Sequence, residues 1–364
     1  MTETTKASRP VQINVDILRD FLARLFGAAG LSAQGAATMA DALVEADIEG
    51  LPSHGVMQAE IYLARMKAGS VIPAEKAEIV IDRGAMAVLD SHHMLGHLAG
   101  NQAMALAVEK AKAYGIGIVA VRHAFHFGPA GRYVRQAAQQ GCVGIATCNS
   151  RPMMPAPGGA QKLVGTNPLA ISVPTSEEPS MILDMATSAG TSGRIRMAGK
   201  AGKPIPDGWA VTADGEPTND PVAALAGMML PMGGAKGFGL SLMIDTLCGL
   251  LSSGGWGDSI QGLHQDLSKP FDTSHLFLAI DAGHFRPIDE FLAEADRAKD
   301  RVRHSKKAPG TQRIYFPGER KWETARANTG CVKLEATQIS ALQRLAADFG
   351  VDTSALNELV RASV

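Results

Sequence analysis

The stretch "GIGIVAVRHA", Gly115–Ala124, decides how the rest of the chain is read. As text, Gly115-Ile116-Gly117-Ile118-Val119-Ala120 fits the dinucleotide fingerprint G-x-G-x-x-A. That fingerprint works only where the glycines leave a strand and open the helix whose N-terminus meets a pyrophosphate. Here the order is reversed. A helical pattern from about Leu98 to Tyr114 precedes the glycines, and a buried strand follows them. Gly115 therefore reads as a helix C-cap, and a Rossmann fold is set aside. No G-x-x-x-x-G-K-[ST] occurs, so P-loop phosphate chemistry has no support.

On the N-terminal side of this stretch the pattern is mostly helical. Ile17, Leu18, Phe21, Leu22, Leu25 and Phe26 recur at helical spacing over Val15 to Ala29. A second, Ala-rich helix is expected from about Ser32 to Glu49, and a third carries Tyr62, Leu63 and Met66 to a stop at Gly69. "AEIVIDRGAMAVLDS" alternates either side of Arg83-Gly84, as a hairpin does. On the C-terminal side, "GCVGIATCNS" and "LAISVPT" read as further strands, separated by the Gly/Pro-rich "RPMMPAPGG" and "GTNP". A Gly-rich turn then enters an apolar helix near Leu230 to Leu251, and a charged amphipathic helix spans about Pro287 to Arg303. The expected class is α/β, with a strand-rich lobe at 115–304 inserted into a helical domain of 1–114 completed by 305–364.

A chain of 364 residues, 46% of them hydrophobic, can bury a sizeable core, and a formal net charge of −1 offers no field for nucleic acid or an anionic membrane. The basic run Arg297 to Lys307 reads as a solvated helix end. Cys142, Cys148, Cys248 and Cys331 show no metal-ligand pairing and read as reduced thiols. The N-terminus is polar, without the apolar core of a signal peptide, and the most apolar run, Gly239 to Leu251, is too short for a bilayer and contains Asp245. A cytoplasmic protein is expected.

Several polar groups fall in turns where a rigid scaffold can present them. In "GLPSHGVMQAEIY", Gly50–Tyr62, Ser53 and His54 sit in a small-residue turn between helices, with Gln58 four residues on. "RHAFHFGPAG" offers His123 and His126, but without a third ligand they do not make a metal site, and no metal is expected. "VGTNPLA" places Thr166 in a proline-closed turn, and "LDMATSAGTSGR" ends a strand at Asp184 and runs on to Arg194. "PMGGAKGFG" sets Lys236 at a helix start, where free N–H groups and a cation suit a phosphate or carboxylate.

Taken in order, "SHGV…Y", "HFG-x-AG-x-Y", "GTNPLA", "DMATS", "P-x-GG-x-KG" and the late "PGE" at Pro317 to Glu319 resemble the malate/L-lactate dehydrogenase family of the non-Rossmann type. That family includes ureidoglycolate, sulfolactate and diketogulonate oxidoreductases and Δ1-piperideine-2-carboxylate reductases, and the likeness runs from about residue 15 to 345. The resemblance implies NAD or NADP on a mixed-sheet domain, a small carboxylate substrate and a homodimer. It implies His54 as proton donor with Ser53 beside it, and His126 as the histidine at the nicotinamide end, used as acid/base in some members. Implied substrate contacts are Gln58, Tyr62, Thr166 and Arg194. Implied cofactor contacts are His126, Phe127, Gly128, Ser150, Asp184, Met185, Ala186, Lys236, Gly237, Pro317, Gly318, Glu319 and Arg320. The choice between NAD and NADP stays open; Arg151, Arg320 or Lys321 could meet a 2′-phosphate.

Histidine suits such chemistry because its pKa of ~6.5 lets it donate in reduction and accept in oxidation near neutral pH. Two departures from the family matter. Relatives commonly carry arginine where this chain has Gln58, and a neutral amide forgoes roughly 1.5–3 kcal/mol per charge-assisted hydrogen bond to a carboxylate. At Arg194, imine-reducing relatives carry an acid. A cation there disfavours an iminium substrate and is a candidate replacement for the missing arginine, as is Arg196. The expected reaction interconverts a 2-oxo acid and a 2-hydroxy acid. The alternatives are reduction of cyclic 2-imino acids and a cofactor-binding homologue that has lost catalysis.

Overall fold

The computed structural model describes residues 10–362. The chain falls into two compact units, one running to Glu75 and resuming at Arg320, the other spanning Lys76–Glu319. The first opens with β1 (Val11–Asn14), α1 (Val15–Ala28), α2 (Ala33–Ile48) and α3 (Ala59–Ala68). Asn14 accepts from the N–H groups of Asp16 and Ile17 at 2.9 and 3.2 Å, which satisfies two orphan donors and starts α1. The Leu18, Phe21, Leu22, Leu25 and Phe26 face expected from the spacing is buried. Ser32 caps α2 through the Gly35 N–H, and Gly69, at φ 77°, ends α3 in the left-handed conformation open to glycine.

The second unit carries β2 (Glu78–Arg83), β3 (Met86–Asp90), α4 (Gly96–Tyr114), β4 (Ile116–Ala124), α5 (Gly131–Ala138), β5 (Cys142–Cys148), β6 (Leu169–Val173) and β7 (Met181–Met185). It continues through α6 (Ser192–Lys200), β8 (Ala210–Val211), β9 (Pro217–Thr218), α7 (Pro221–Ala226), β10 (Met228–Met229), α8 (Ala235–Asp245), β11 (Thr273–Asp281) and α9 (Ile288–Arg303). The seven-stranded sheet has the order β2-β3-β4-β11-β5-β6-β7, and β8–β10 form a small separate sheet. Within the large sheet only β3 and β4 pair in parallel, joined over one face by α4. Such a mixed sheet is not doubly wound. Gly115, at φ 83°, caps α4 as expected, while Gly117 lies so close to the Ala107 carbonyl that no side chain would fit. The second glycine of the false fingerprint thus serves helix–sheet packing.

The first unit resumes in α10 (Glu319–Ala327), β12 (Cys331–Leu334), α11 (Ala336–Phe349) and α12 (Ser354–Ala362), with β12 antiparallel to β1. Three features depart from the expectations above. The units divide at Glu75/Lys76 and Glu319/Arg320, not at 114/115 and 304/305. The reason is that β3 pairs with β4, so the β2–β3 hairpin and α4 belong to the sheet. No strand is expected from the sequence at Thr273–Asp281, yet β11 lies between β4 and β5. It is covered on both faces and opens with the buried polar residues Thr273, Ser274 and His275, so it shows no alternation. The β1–β12 pair joins segments from opposite ends of the chain, which local pattern does not register.

Candidate active site

In the first unit, α2 ends at Ile48 and the chain turns through two short 3-10 turns, Pro52–His54 and Val56–Gln58, before α3. Pro52 presets the first of these turns. His54 is half-buried, and its Nδ1 lies 2.9 Å from the Ser53 hydroxyl. A hydroxyl can donate to that nitrogen or accept from it, so this contact orients the ring in either tautomer. Gln58 does not reach outward. Its amide nitrogen donates to the Ser53 carbonyl at 2.6 Å, and its side-chain oxygen is buried without a hydrogen-bond partner among the described residues. Tyr62 is fully buried along α3.

In the second unit, His126 follows β4 in a loop ending at α5, and it is half-buried. Its neighbours are fixed by packing. Phe125 meets Phe271 edge-on at 5.5 Å, and Phe127 stacks on Tyr133 at 5.1 Å and lies 4.6 Å from His275. The Tyr133 hydroxyl donates to the Phe127 carbonyl, so Phe127 contributes a buried ring and a committed carbonyl to this loop. Gly128 takes φ 73° against the His97 ring, and Gly96 at the start of α4 lies directly on the Phe125 and His126 carbonyls. His123 has a different post from His126: its Nδ1 is 3.0 Å from the Asp90 carboxylate, which also holds Arg122 at 2.9 Å. The Asp90 pKa is lowered to about 2, because hydrogen bonds from His92, His123 and Arg122 outweigh its partial burial.

The ends of β5, β6 and β7 gather the next group. Ser150 donates through N and Oγ to the buried Asn167 side chain, at 2.9 and 3.2 Å. Thr166 is half-buried, and its carbonyl takes the Thr187 N–H. Asp184 and Met185 close β7, where Asp184 pairs across the ladder with Ala170, and Ala186 follows half-buried. Lys236 is exposed in the first turn of α8, while Gly237 is buried against the Met232 carbonyl, where a side chain would clash. Beside this helix start a cavity of about 400 Å³ is lined by Pro155–Gly159, Ala189, Gly215, Pro231, Gly233 and Gly234. Most of its lining residues are glycine, alanine or proline, which lets a ligand approach the backbone closely, and Val211, Leu230 and the Asp214 carboxylate complete the wall.

Two groups stand apart from these loop ends. Pro317 accepts the Ile182 N–H at 3.0 Å, and Gly318, at φ 93°, runs so near Ile182 that only glycine is easily accommodated, so this segment covers the β7 edge. The Glu319 carboxylate is buried between Arg303 and Arg313 at 2.9 and 2.7 Å, and those contacts lower its pKa against the effect of burial. Its oxygens are committed within the protein. Arg194 is exposed in the first turn of α6, and Arg320 is exposed in the first unit.

Sequence reasoning missed two buried polar residues that organise these loops. Asn149 donates to Asp245 at 2.9 Å and to the Gly255 carbonyl at 2.8 Å, and accepts from Ser274 at 2.7 Å, tying β5, α8 and β11 together. The signal was Asp245, a carboxylate inside the most apolar run of the chain. Asp47 is the second: it accepts the Val56 N–H at 2.7 Å from beneath the His54 turn, and burial raises its pKa to about 7.

A family described as malate/L-lactate dehydrogenase matches residues 13–343. A malate dehydrogenase of Pyrococcus abyssi is 37% identical over 318 residues, covering 85% of this chain and 87% of that protein. A ureidoglycolate dehydrogenase (NAD(+)) of Escherichia coli is 32% identical over 309 residues, covering 85% and 88%. The solved sulfolactate dehydrogenase of Methanocaldococcus jannaschii superposes with a TM-score of 0.89 at 33% identity, over 94% of this chain and 98% of that one.

Proposed function

Because this chain belongs to the malate/L-lactate dehydrogenase family, and so is an NAD- or NADP-dependent oxidoreductase of hydroxy acids, we propose that it interconverts a 2-oxo acid and a 2-hydroxy acid with His54 as proton donor. The observation that carries this reading is the Ser53–His54 contact of 2.9 Å. A histidine held in orientation by a hydroxyl that can serve either tautomer suits a group that gives a proton in one direction and takes it back in the other. His126 is the second candidate for that role.

A bound nicotinamide would supply or take the hydride at C2. The residues present fit such a group: the glycine-rich cavity beside α8 and exposed Lys236 at that helix start offer N–H groups and a cation for a pyrophosphate, and Asp214 on the cavity wall offers an acceptor for a hydroxyl. Asp184, Met185, Ala186, Ser150 and Thr166 lie at the neighbouring strand ends. Glu319 and Phe127 act in this reading by holding backbone, since their side chains are occupied internally.

Gln58 spends its amide on its own turn, so the substrate carboxylate needs a cation from elsewhere. Arg194 is exposed and makes no ion pair among the described residues, which leaves it available for that work. The same cation disfavours a cyclic iminium substrate. A homodimer is part of this proposal. Met243, Leu247, Leu250, Leu251 and Trp256 form an exposed apolar run along α8 and the helical turn after it, and such surfaces are commonly covered in an oligomer. The four cysteines are free thiols, as a reducing cytoplasm would keep them. The test is NADH and NADPH fluorescence, followed by an absorbance assay on a panel of 2-oxo acids and cyclic 2-imino acids. Turnover of a 2-oxo acid supports the reading, while binding without turnover means a non-catalytic homologue.

A further inference from the structure

Arg151, Arg320 and Lys321 are the cations that the sequence offers to a 2′-phosphate, and the structure separates them. Lys321 is committed to the Glu49 carboxylate at 2.8 Å, and Arg320 is also engaged within the protein. The Arg151 side chain makes no hydrogen bond or ion pair among the described residues, and neither does that of exposed Lys162. Both line one small pocket of about 40 Å³ in the second unit, together with Ser192 at the start of α6. The loop that carries the two cations is closed by a Met154–Val164 bridge, with Met153 N–H donating to the Val164 carbonyl at 2.8 Å and Leu163 N–H to that of Met154 at 2.9 Å. Ile195, Ala224 and Met229 form the apolar wall of the pocket and belong to a buried cluster with Met154 and Val164, so core packing sets its shape.

The polar groups of this pocket are unspent. Ser192 Oγ donates to the Met229 thioether at 3.2 Å, a weak acceptor that an oxyanion would readily displace. No carboxylate lines the pocket among the described residues. The glycine-rich cavity has the opposite character: Asp214 stands on its wall, and no cation does. The two spaces share the 151–162 loop and the 227–234 segment, so one ligand can present a hydroxyl to the first and an anion to the second. A pocket of about 40 Å³ admits a few waters or one compact oxyanion, not a nucleoside. Two cations and a hydroxyl match a phosphate monoester, which carries about −1.5 to −2 charge at neutral pH and three acceptor oxygens. Arg194 does not line this pocket, which leaves it for the substrate carboxylate.

We propose that Arg151, Lys162 and Ser192 form a phosphate-monoester pocket whose occupant is the 2′-phosphate of NADPH, so that the protein prefers NADP to NAD. This rests on the reading of the neighbouring cavity as the dinucleotide site. The test is fluorescence titration with NADPH and NADH of the wild type, Arg151→Ala, Lys162→Ala, the double variant and Lys200→Ala, which removes an exposed α6 cation outside the pocket. The wild type should bind NADPH the more tightly. Each pocket variant should weaken NADPH about 10-fold, as loss of one charge-assisted hydrogen bond does, with NADH affinity unchanged and Lys200→Ala like the wild type. Adenosine 2′-monophosphate should displace NADPH from the wild type better than adenosine does, and should lose that advantage in the double variant. A wild type that binds NADH as tightly as NADPH would overturn the proposal, and so would pocket variants that weaken both cofactors equally. Calorimetric binding of inorganic phosphate that the double variant abolishes, without any preference for NADPH, would mean a free-phosphate site and overturn the cofactor assignment. Binding of neither cofactor would overturn the reading of the cavity, and this assignment with it. If Arg151→Ala does not fold, Lys162→Ala, at an exposed side chain, decides by the same readout.

Discussion

Acidification should destabilise the second unit through His275, and the size of the effect follows from where that ring sits. His275 is fully buried in β11, 4.6 Å from Phe127 and 6.1 Å from Phe277, with Nε2 3.3 Å from the Thr273 hydroxyl. Burial lowers its pKa from 6.5 to about 3, opposed only in part by the Phe125 backbone. Between those two values the unfolded chain binds a proton that the folded chain does not, so stability rises with pH across the window and is lost as pH falls below 6.5. At ~1.4 kcal/mol for each tenfold change in proton activity, acidification from neutral pH to about 4 removes on the order of 3 kcal/mol. Urea unfolding followed by far-UV circular dichroism at several pH values, comparing the wild type with His275→Gln, isolates this group because all others cancel in the difference. The variant should be the less stable protein at neutral pH and should lose less stability on acidification. Parallel curves for the two proteins, or a His275 ring that titrates near 6.5 by NMR, would refute the argument. Because His275 supports Phe127, the same acidification should loosen the His126 loop.

Three further outcomes are expected. Gly96→Ala would drive a methyl group into the Phe125 and His126 carbonyls, so it should cost about 1–3 kcal/mol of stability and weaken cofactor affinity, measured by NADH fluorescence. Glu319→Gln removes the buried partner of Arg303 and Arg313 and should cost on the order of 3 kcal/mol near neutral pH, read by urea unfolding. Because the Glu319 pKa is lowered in the fold, the stabilisation it supplies is present above 4.5 and is lost as pH falls further, so the variant and wild type should converge in acid. Arg194→Ala should raise KM for the 2-oxo acid roughly 10-fold or more, the worth of one charge-assisted hydrogen bond, with cofactor affinity unchanged. An unaltered KM would remove Arg194 from the substrate site.

What the sequence made legible was local. The order of elements around Gly115 excludes a Rossmann fold because a fingerprint has meaning only in its strand–turn–helix setting, and the left-handed Gly115 at the end of α4 bears that out. The Ser53–His54 turn, the Gly-rich entry to α8 and the proline-closed Thr166 turn were visible because Gly, Pro and small polar residues mark backbone shape directly. Long-range pairing was not visible. β11 inserts between β4 and β5 from more than a hundred residues away, and β1 pairs with β12 across most of the chain. Residues that act by holding others were equally hidden. Asp47 looks like any polar residue of an amphipathic helix until Gly55 and Val56 are folded onto it. Glu319 and Phe127 fall in motif segments, yet their side chains prove to be committed to Arg303 and Arg313 and to the aromatic stack. A motif locates a segment, and packing decides which atoms of that segment remain for a ligand.

The most direct measurement is the rate of NADH or NADPH oxidation by a 2-oxo acid, for the wild type and His54→Ala side by side at neutral pH. The wild type should turn over at least one such acid, and His54→Ala should lose about 10²- to 10⁴-fold in kcat while binding the reduced cofactor with unchanged affinity. Turnover of cyclic 2-imino acids alone, or a His54→Ala variant as fast as the wild type, would contradict 2-oxo acid reduction with His54 as the proton donor.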